Sequence, residues 1–123
     1  MFAVLSESIS LLVRNVTRSV VLADSAGVAD TSAKRRTGLL KHERLEAGQG
    51  LWIVPCEGVH TFGMKFPIDV LFLNRKRRVL KIRENMVVRR ISLCLWAHSV
   101  LELPAGTVKA SGTEKGDRLE LVR

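Results

Sequence analysis

The sequence predicts a mostly β fold: a compact antiparallel β-barrel or β-sandwich with one or two short helices. Three observations predict it. Short apolar runs are cut by turn residues every few positions, giving about eight or nine strands. Only the stretch from Thr31 to Leu40 has helical spacing. The 123 residues suit a single domain spanning positions 1–123, and closing or stacking the sheet hides the edges so many strands would expose.

The elements follow in order. Ser8 to Arg14 and Thr17 to Ala23 alternate as strands, and Asp24-Ser25-Ala26-Gly27 reads as a turn. Thr31 to Leu40 is the helix, with Asp30 or Thr31 placed to cap it by accepting from a free backbone N–H. Arg36, Leu39 and Leu40 share a face at spacings of three and four, and Gly38 marks a fraying end or a close packing point. Glu43 to Gly50 is a polar loop. Leu51 to Val54 is a strand ending at Pro55. Val59 to Met64 alternates as a strand, with His60, Phe62 and Met64 on one side. Ile68 to Leu73 is the strongest strand: Ile68, Val70 and Phe72 face one way, and Asp69, Leu71 and Leu73 the other. Asn74 to Arg77 is a basic turn leading into Arg78 to Arg83, completing a hairpin. Met86 to Leu95 reads as two short strands, His98 to Leu103 as one that stops at Pro104, and Ala105 to Gly112 as a turn or short helix. The last strand follows Gly116-Asp117, with Leu119 and Leu121 alternating.

Lys and Arg number 20 against 12 Asp and Glu, a net charge of +8. Such a balance attracts anions without naming one. No apolar run reaches the roughly 18 residues of a membrane span. Glu7 precedes any Lys or Arg, so no secretory signal is read and the cytoplasm is the expected compartment. Cys56 and Cys94 are then expected as free thiols. Neither has a partner at metal-ligand spacing, so neither a metal nor a cofactor is expected. No phosphate-binding glycine loop and no Gly-x-Ser-x-Gly elbow occurs.

Four stretches in order carry a family resemblance: Arg36-Thr37-Gly38-Leu39-Leu40, His60 to Val70, Leu101 to Gly106, and Gly116-Asp117. Together they resemble the bacterial and archaeal family called domain of unknown function 192, from about Asn15 to Val122. The resemblance implies a barrel-like sandwich with small helices and no established activity; some members carry export or lipid-attachment signals. Departures are specific. Leu40 stands where the family often has methionine. Gly63 replaces a larger side chain, which would open the site. Asn74-Arg75-Lys76-Arg77 lacks the glycine of the family's turn, and Glu84 to Trp96 matches least.

The candidate chemistry centres on Asp69, a carboxylate inside an apolar strand, which is costly unless paired, hydrogen-bonded or set in a cleft. It reads either as a structural anchor or as a ligand-binding or general-base group. Glu102 lies between Leu101 and Leu103. If its strand neighbours that of Asp69, the two could share a cleft, where such a pair raises one pKa and supports acid/base work or binds a divalent cation. His60 is a candidate base or ligand. Cys56, four residues before it, would need a base within reach to act as a nucleophile. His42, in a polar loop, carries no such signal. The leading expectation is a small binding module whose cleft is lined by Trp52, His60, Phe62, Met64, Asp69 and Glu102, taking a small organic or sugar-like ligand. The alternatives are a hydrolase using paired carboxylates with or without a metal, and a basic surface for RNA or another anionic partner. For the last, Lys34 to Arg36, Arg75 to Arg78 and Arg89-Arg90 supply charge but no interleaved aromatic residues. Only weak, nonspecific nucleic-acid binding is therefore expected.

Overall fold

Strand β5 (Ile68–Leu73) is buried at all six positions, so both faces of the sheet around it are covered. The computed structural model describes residues 10–123. Its other strands are β1 (Leu11–Asn15), β2 (Val20–Ala29), β3 (Gln49–Ile53), β4 (Gly58–His60), β6 (Val79–Met86), β7 (Ile91–Leu93), β8 (Ser99–Pro104) and β9 (Leu119–Val122). Two short helices complete the described residues: α1 (Ser32–Thr37) and α2 (Thr107–Ser111). Seven strands form one sheet in the order β6-β5-β8-β3-β2-β1-β9, and β4 pairs with β7 in a separate ribbon.

The main sheet curls into a half-barrel. Its two end strands come together where Arg78 bridges Arg118, reinforced by Val79 N–H to the Asp117 carbonyl at 2.8 Å and Leu119 N–H to the Arg77 carbonyl at 2.9 Å. The inner face collects apolar side chains from both ends of the sheet, including Val13, Leu71, Val79, Leu101 and Leu119, with Val108 of α2. The outer face carries Ile53, Ile68, Val70, Phe72 and Val100, covered by Leu39 after α1 and by Val59 of β4. Alternation therefore sends Ile68, Val70 and Phe72 outward and Leu71 and Leu73 inward, the split expected from the sequence.

The structure corrects several expected boundaries. Residues 8 and 9 of the first predicted strand lie outside the described residues. Asp24 to Gly27 is not a turn: β2 runs through it. The N–H groups of Asp24 and Ser25 both donate to the Gly48 carbonyl at 2.9 Å, and the pairing with β1 slips there. A bulge uses turn-forming residues without turning the chain. One pair, β2 with β3, is parallel, joined through α1, so the sheet is mixed rather than wholly antiparallel. The expected strand from Val59 to Met64 ends at His60. Thr61 is buried, donating to the Val87 carbonyl at 2.6 Å and accepting the Arg90 N–H at 2.8 Å, and Gly63 turns the chain at φ +82°. The glycine-free turn is held by Asn74, whose Oδ1 accepts the N–H groups of Lys76 and Arg78 at 2.9 Å each, while Arg77 itself takes φ +67°.

Candidate functional site

A cavity of about 420 Å³ opens on the outer face, between α1 with its following turn and the segment from Ile53 to His60. Its construction starts at α1. Thr31 caps the helix, its Oγ1 accepting the Lys34 N–H at 3.1 Å. Gly38 ends it at φ +48°, its N–H reaching the Lys34 carbonyl. The chain then turns Leu39 into the outer core and sets Leu40 along the cavity wall. The last helical turn carries Arg35 and Arg36 to the cavity. The Arg35 guanidinium is loosely held by the Asp30 carbonyl at 3.3 Å and Ser32 Oγ at 3.4 Å. That of Arg36 makes no hydrogen bond among the described residues.

Opposite them stands Glu102, in the middle of β8. It pairs in register with Val70 on one side and Leu51 on the other, so its side chain projects on the outer face with theirs. It is 4% exposed, lines the cavity, and accepts no hydrogen bond from the side chains or backbone of the described residues. Burial pushes its carboxyl up to about 7, because desolvation disfavours the charged form. The neutral acid is therefore well populated at neutral pH and presents a hydroxyl donor as well as a carbonyl acceptor. Gly50 permits the strand packing behind it: a Cβ there would lie 3.0 Å from the Glu102 carbonyl oxygen.

Cys56 also lines the cavity. Its thiol donates to the Gly58 carbonyl at 3.0 Å, and burial raises its pKa, so it is held as the thiol rather than the nucleophilic thiolate. His60 and Met64 complete one wall, His60 exposed and Met64 buried.

Of the six residues expected to share a cleft, the structure brings together His60, Met64 and Glu102. The other three lie elsewhere. Trp52 pairs with Leu101 and packs against the inner core, its ring under the Arg77 guanidinium at 4.8 Å. Phe62 is 46% exposed and outside the cavity lining, its ring centroid 5.8 Å from that of His60. Asp69 pairs with Leu103 and projects inward, away from Glu102. It is fully buried. Oδ1 accepts the Asn85 N–H at 2.8 Å, and Oδ2 accepts those of Gly106 at 3.1 Å and Val108 at 2.9 Å. It caps α2 and pins the end of β6, which is the anchor reading. The paired-carboxylate cleft therefore does not form: the two groups sit on neighbouring strands but on opposite faces of the sheet. Sequence reasoning missed Arg35, Arg36 and the wall formed by Leu39 and Leu40. The signal for them is the shared helix face of Arg36, Leu39 and Leu40 and the basic run of Lys34 to Arg36, neither of which names the cavity they border.

The model of DUF192, described as "Uncharacterized ACR", matches residues 13–121. The chain belongs to the DUF192 family. A UPF0127 protein of Thermococcus sibiricus is 28% identical over 111 residues, covering 86% of this chain and 71% of its own. One from Thermococcus kodakarensis is 26% identical, covering 86% and 70%. Among solved structures, a protein of unknown function from Novosphingobium aromaticivorans superposes with a TM-score of 0.79 at 24% identity, over 91% of this chain and 84% of that one. A Sinorhizobium meliloti protein, described as a candidate transcription regulator, gives 0.79 at 27% identity over 90% and 91%. The half-barrel is thus a fold shared with these structures. No helix among the described residues of this DUF192 member is long and apolar enough to cross a membrane.

Proposed function

We propose that this DUF192 member is a binding module for a small organic ligand with an anionic or oxygen-rich end, held in the Glu102 cavity. One observation carries the reading: Glu102 is buried, without a protein partner among the described residues, and aimed into a cavity of ligand size. The Glu102 carboxyl oxygens face the open cavity, unlike the sealed Trp52 Nε1, His98 Nδ1 and Ser99 Oγ, so a ligand oxygen that accepts from its hydroxyl takes the place of solvent there. The apolar walls of Leu40, Ile53, Val59 and Met64 suit a hydrocarbon body, and Arg35 and Arg36 suit an anionic group at the mouth.

The test is a titration of the amide NMR spectrum with a panel of small acids such as benzoate, hexanoate and mandelate. Shifts should cluster at Gly38, Cys56, Gly58, His60 and Glu102, and weaken when Arg35 and Arg36 are both replaced by Gln. Shifts confined to the inner face around Trp52, or none for any acid or sugar tried, would overturn the proposal.

A further inference from the structure

A second surface, distinct from the cavity, is unusual for a soluble face. Every exposed large apolar side chain among the described residues, Val21 and Val122 apart, is Phe62 or lies in the segment 87–96. Exposure is greatest at its end: Ile91 is 58% exposed, Leu93 60%, Leu95 68% and Trp96 87%. The geometry explains the alignment. Ile91 and Leu93 share one face of β7, while Ser92 between them is buried and accepts from Arg83. Ile91 stands opposite His60, and Leu93 opposite Gly58, which offers no side chain to cover it. The turn after β7 then carries Leu95 and Trp96 outward. The Trp96 N–H is fixed to the Glu57 carboxylate at 3.1 Å, the Ala97 N–H bonds the Cys94 carbonyl, and Trp96 sits at φ +78°. The apolar tip is held by backbone bonds rather than left to collapse.

Charge flanks this stripe. Arg89 and Arg90 are exposed at the entry to β7. Arg75 and Lys76 border the hollow beside Trp96, and Lys81 donates to the Leu93 carbonyl at 2.7 Å. Glu57, the carboxylate the structure sets against this tip, is engaged with the Trp96 N–H.

We propose that the β4–β7 ribbon docks the protein on an anionic lipid surface. Leu95 and Trp96 enter the headgroup layer, and Arg89, Arg90, Arg75 and Lys76 pair with lipid phosphates. An apolar ridge ending in tryptophan, with arginines to either side, matches the amphipathic boundary of a bilayer. Basic side chains add attraction to a negative leaflet. A nucleic-acid surface stacks bases on successive rings, whereas here the rings of Phe62 and Trp96 are separated by the aliphatic run of Ile91, Leu93 and Leu95.

The experiment sediments the full chain with vesicles of phosphatidylcholine, pure or mixed with phosphatidylglycerol. Trp52→Phe makes Trp96 the only indole reporter. Binding is expected to the mixed vesicles, with a blue shift of Trp96 emission, and to weaken as salt is raised. Leu95→Ser with Trp96→Ser should cut binding roughly tenfold. Arg89→Gln and Arg90→Gln should each cut it about fivefold, since a surface arginine contributes about 1 kcal/mol. Circular dichroism of each variant confirms that the sheet is intact. Equal binding to both vesicle types, no binding, self-association abolished by the Leu95/Trp96 pair, or Trp96 quenching by single-stranded DNA with no response to vesicles would each overturn the proposal.

Discussion

The inner and outer faces of the half-barrel bury carboxyl groups on opposite terms. On the inner side, Asp69 accepts three backbone N–H bonds. At the edge of the same core, Asp117 accepts from Asn15 Nδ2 at 2.9 Å, Arg18 Nε at 2.9 Å and the Glu114 N–H at 2.9 Å. These bonds, that from Arg18 foremost, hold the Asp117 carboxyl down at about 2. On the outer side, Glu102 has no such partner, and burial alone pushes it up to about 7. The same residue class is thus a fastening where the fold supplies donors and a cavity-facing acid where it does not. Carboxylates supplied with donors stabilise the fold, whereas one desolvated at the wall of a cavity without protein donors is held toward its neutral form.

The largest effect that could break this contrast belongs to Asp69. Asp69→Ala strands three buried N–H groups at the start of α2 and the end of β6. Bonds to a charged acceptor contribute roughly 1.5–3 kcal/mol each, with losses that do not add fully, so stability should fall by about 4 kcal/mol in urea unfolding. A loss below about 1 kcal/mol would mean that water satisfies these groups and that Asp69 is no anchor.

Glu102→Gln should act in the opposite direction, and only at high pH. The folded-state carboxyl is raised from 4.5 to about 7. The native protein therefore binds the proton more tightly than the unfolded chain. Stability from this group is fully present below about pH 4.5, declines as pH rises toward 7, and is flat above. The shift corresponds to at most about 3 kcal/mol. The Gln variant should match wild type at pH 4.5 and exceed it by up to that amount at pH 8.5. A parallel pair of pH profiles would show Glu102 to be hydrated and the contrast between the faces unfounded.

Asp117→Asn sharpens the inner half of the comparison. Its carboxyl is depressed from 3.8 to about 2. Its contribution is present above 3.8 and lost as pH falls through about 2. The variant should be destabilised by about 2 kcal/mol at pH 6, and the gap from wild type should close in acid. A gap unchanged down to pH 2 would place the effect in packing instead of charge.

How much of this was legible in the sequence follows from what each signal reports. Period-two alternation in Ile68 to Leu73 reports which residues share a face, and the face assignment follows from it. Alternation does not report which strand lies alongside, so the opposed directions of Asp69 and Glu102 waited on the register Asp69–Leu103 and Val70–Glu102. Trp52 failed for the same reason: its type suited a cleft, but its parity with Leu101 placed it on the inner face. The strand drawn through Met64 failed because Thr61 spends its hydroxyl on Val87 and Arg90, partners 26 and 29 residues away. The bulge at Asp24 and Ser25 looked like a turn because both need the same residue types.

The smallest expected effect is at Cys56, which touches both halves of the comparison: it lies beside Glu102 yet has a partner. Its Sγ donates to the Gly58 carbonyl at 3.0 Å, and burial raises the thiol pKa. Cys56→Ser keeps a donor of similar shape, so the change in stability should stay within about 1 kcal/mol. Reactivity is the more decisive reading. A thiol held protonated reacts slowly with iodoacetamide near neutral pH, because the thiolate is the nucleophile. In the native protein, Cys56 should be alkylated more slowly than a free cysteine in an unfolded peptide at pH 7. The rate should climb as pH passes above the usual thiol range. Filling the cavity with a small acid should slow it further by covering the sulfur. Alkylation at pH 7 faster than that of the peptide would mean that the cavity, with Arg35 at its edge, stabilises a thiolate. The outer face would then hold an activated nucleophile, and the case for a simple binding site would give way to one for chemistry at Cys56.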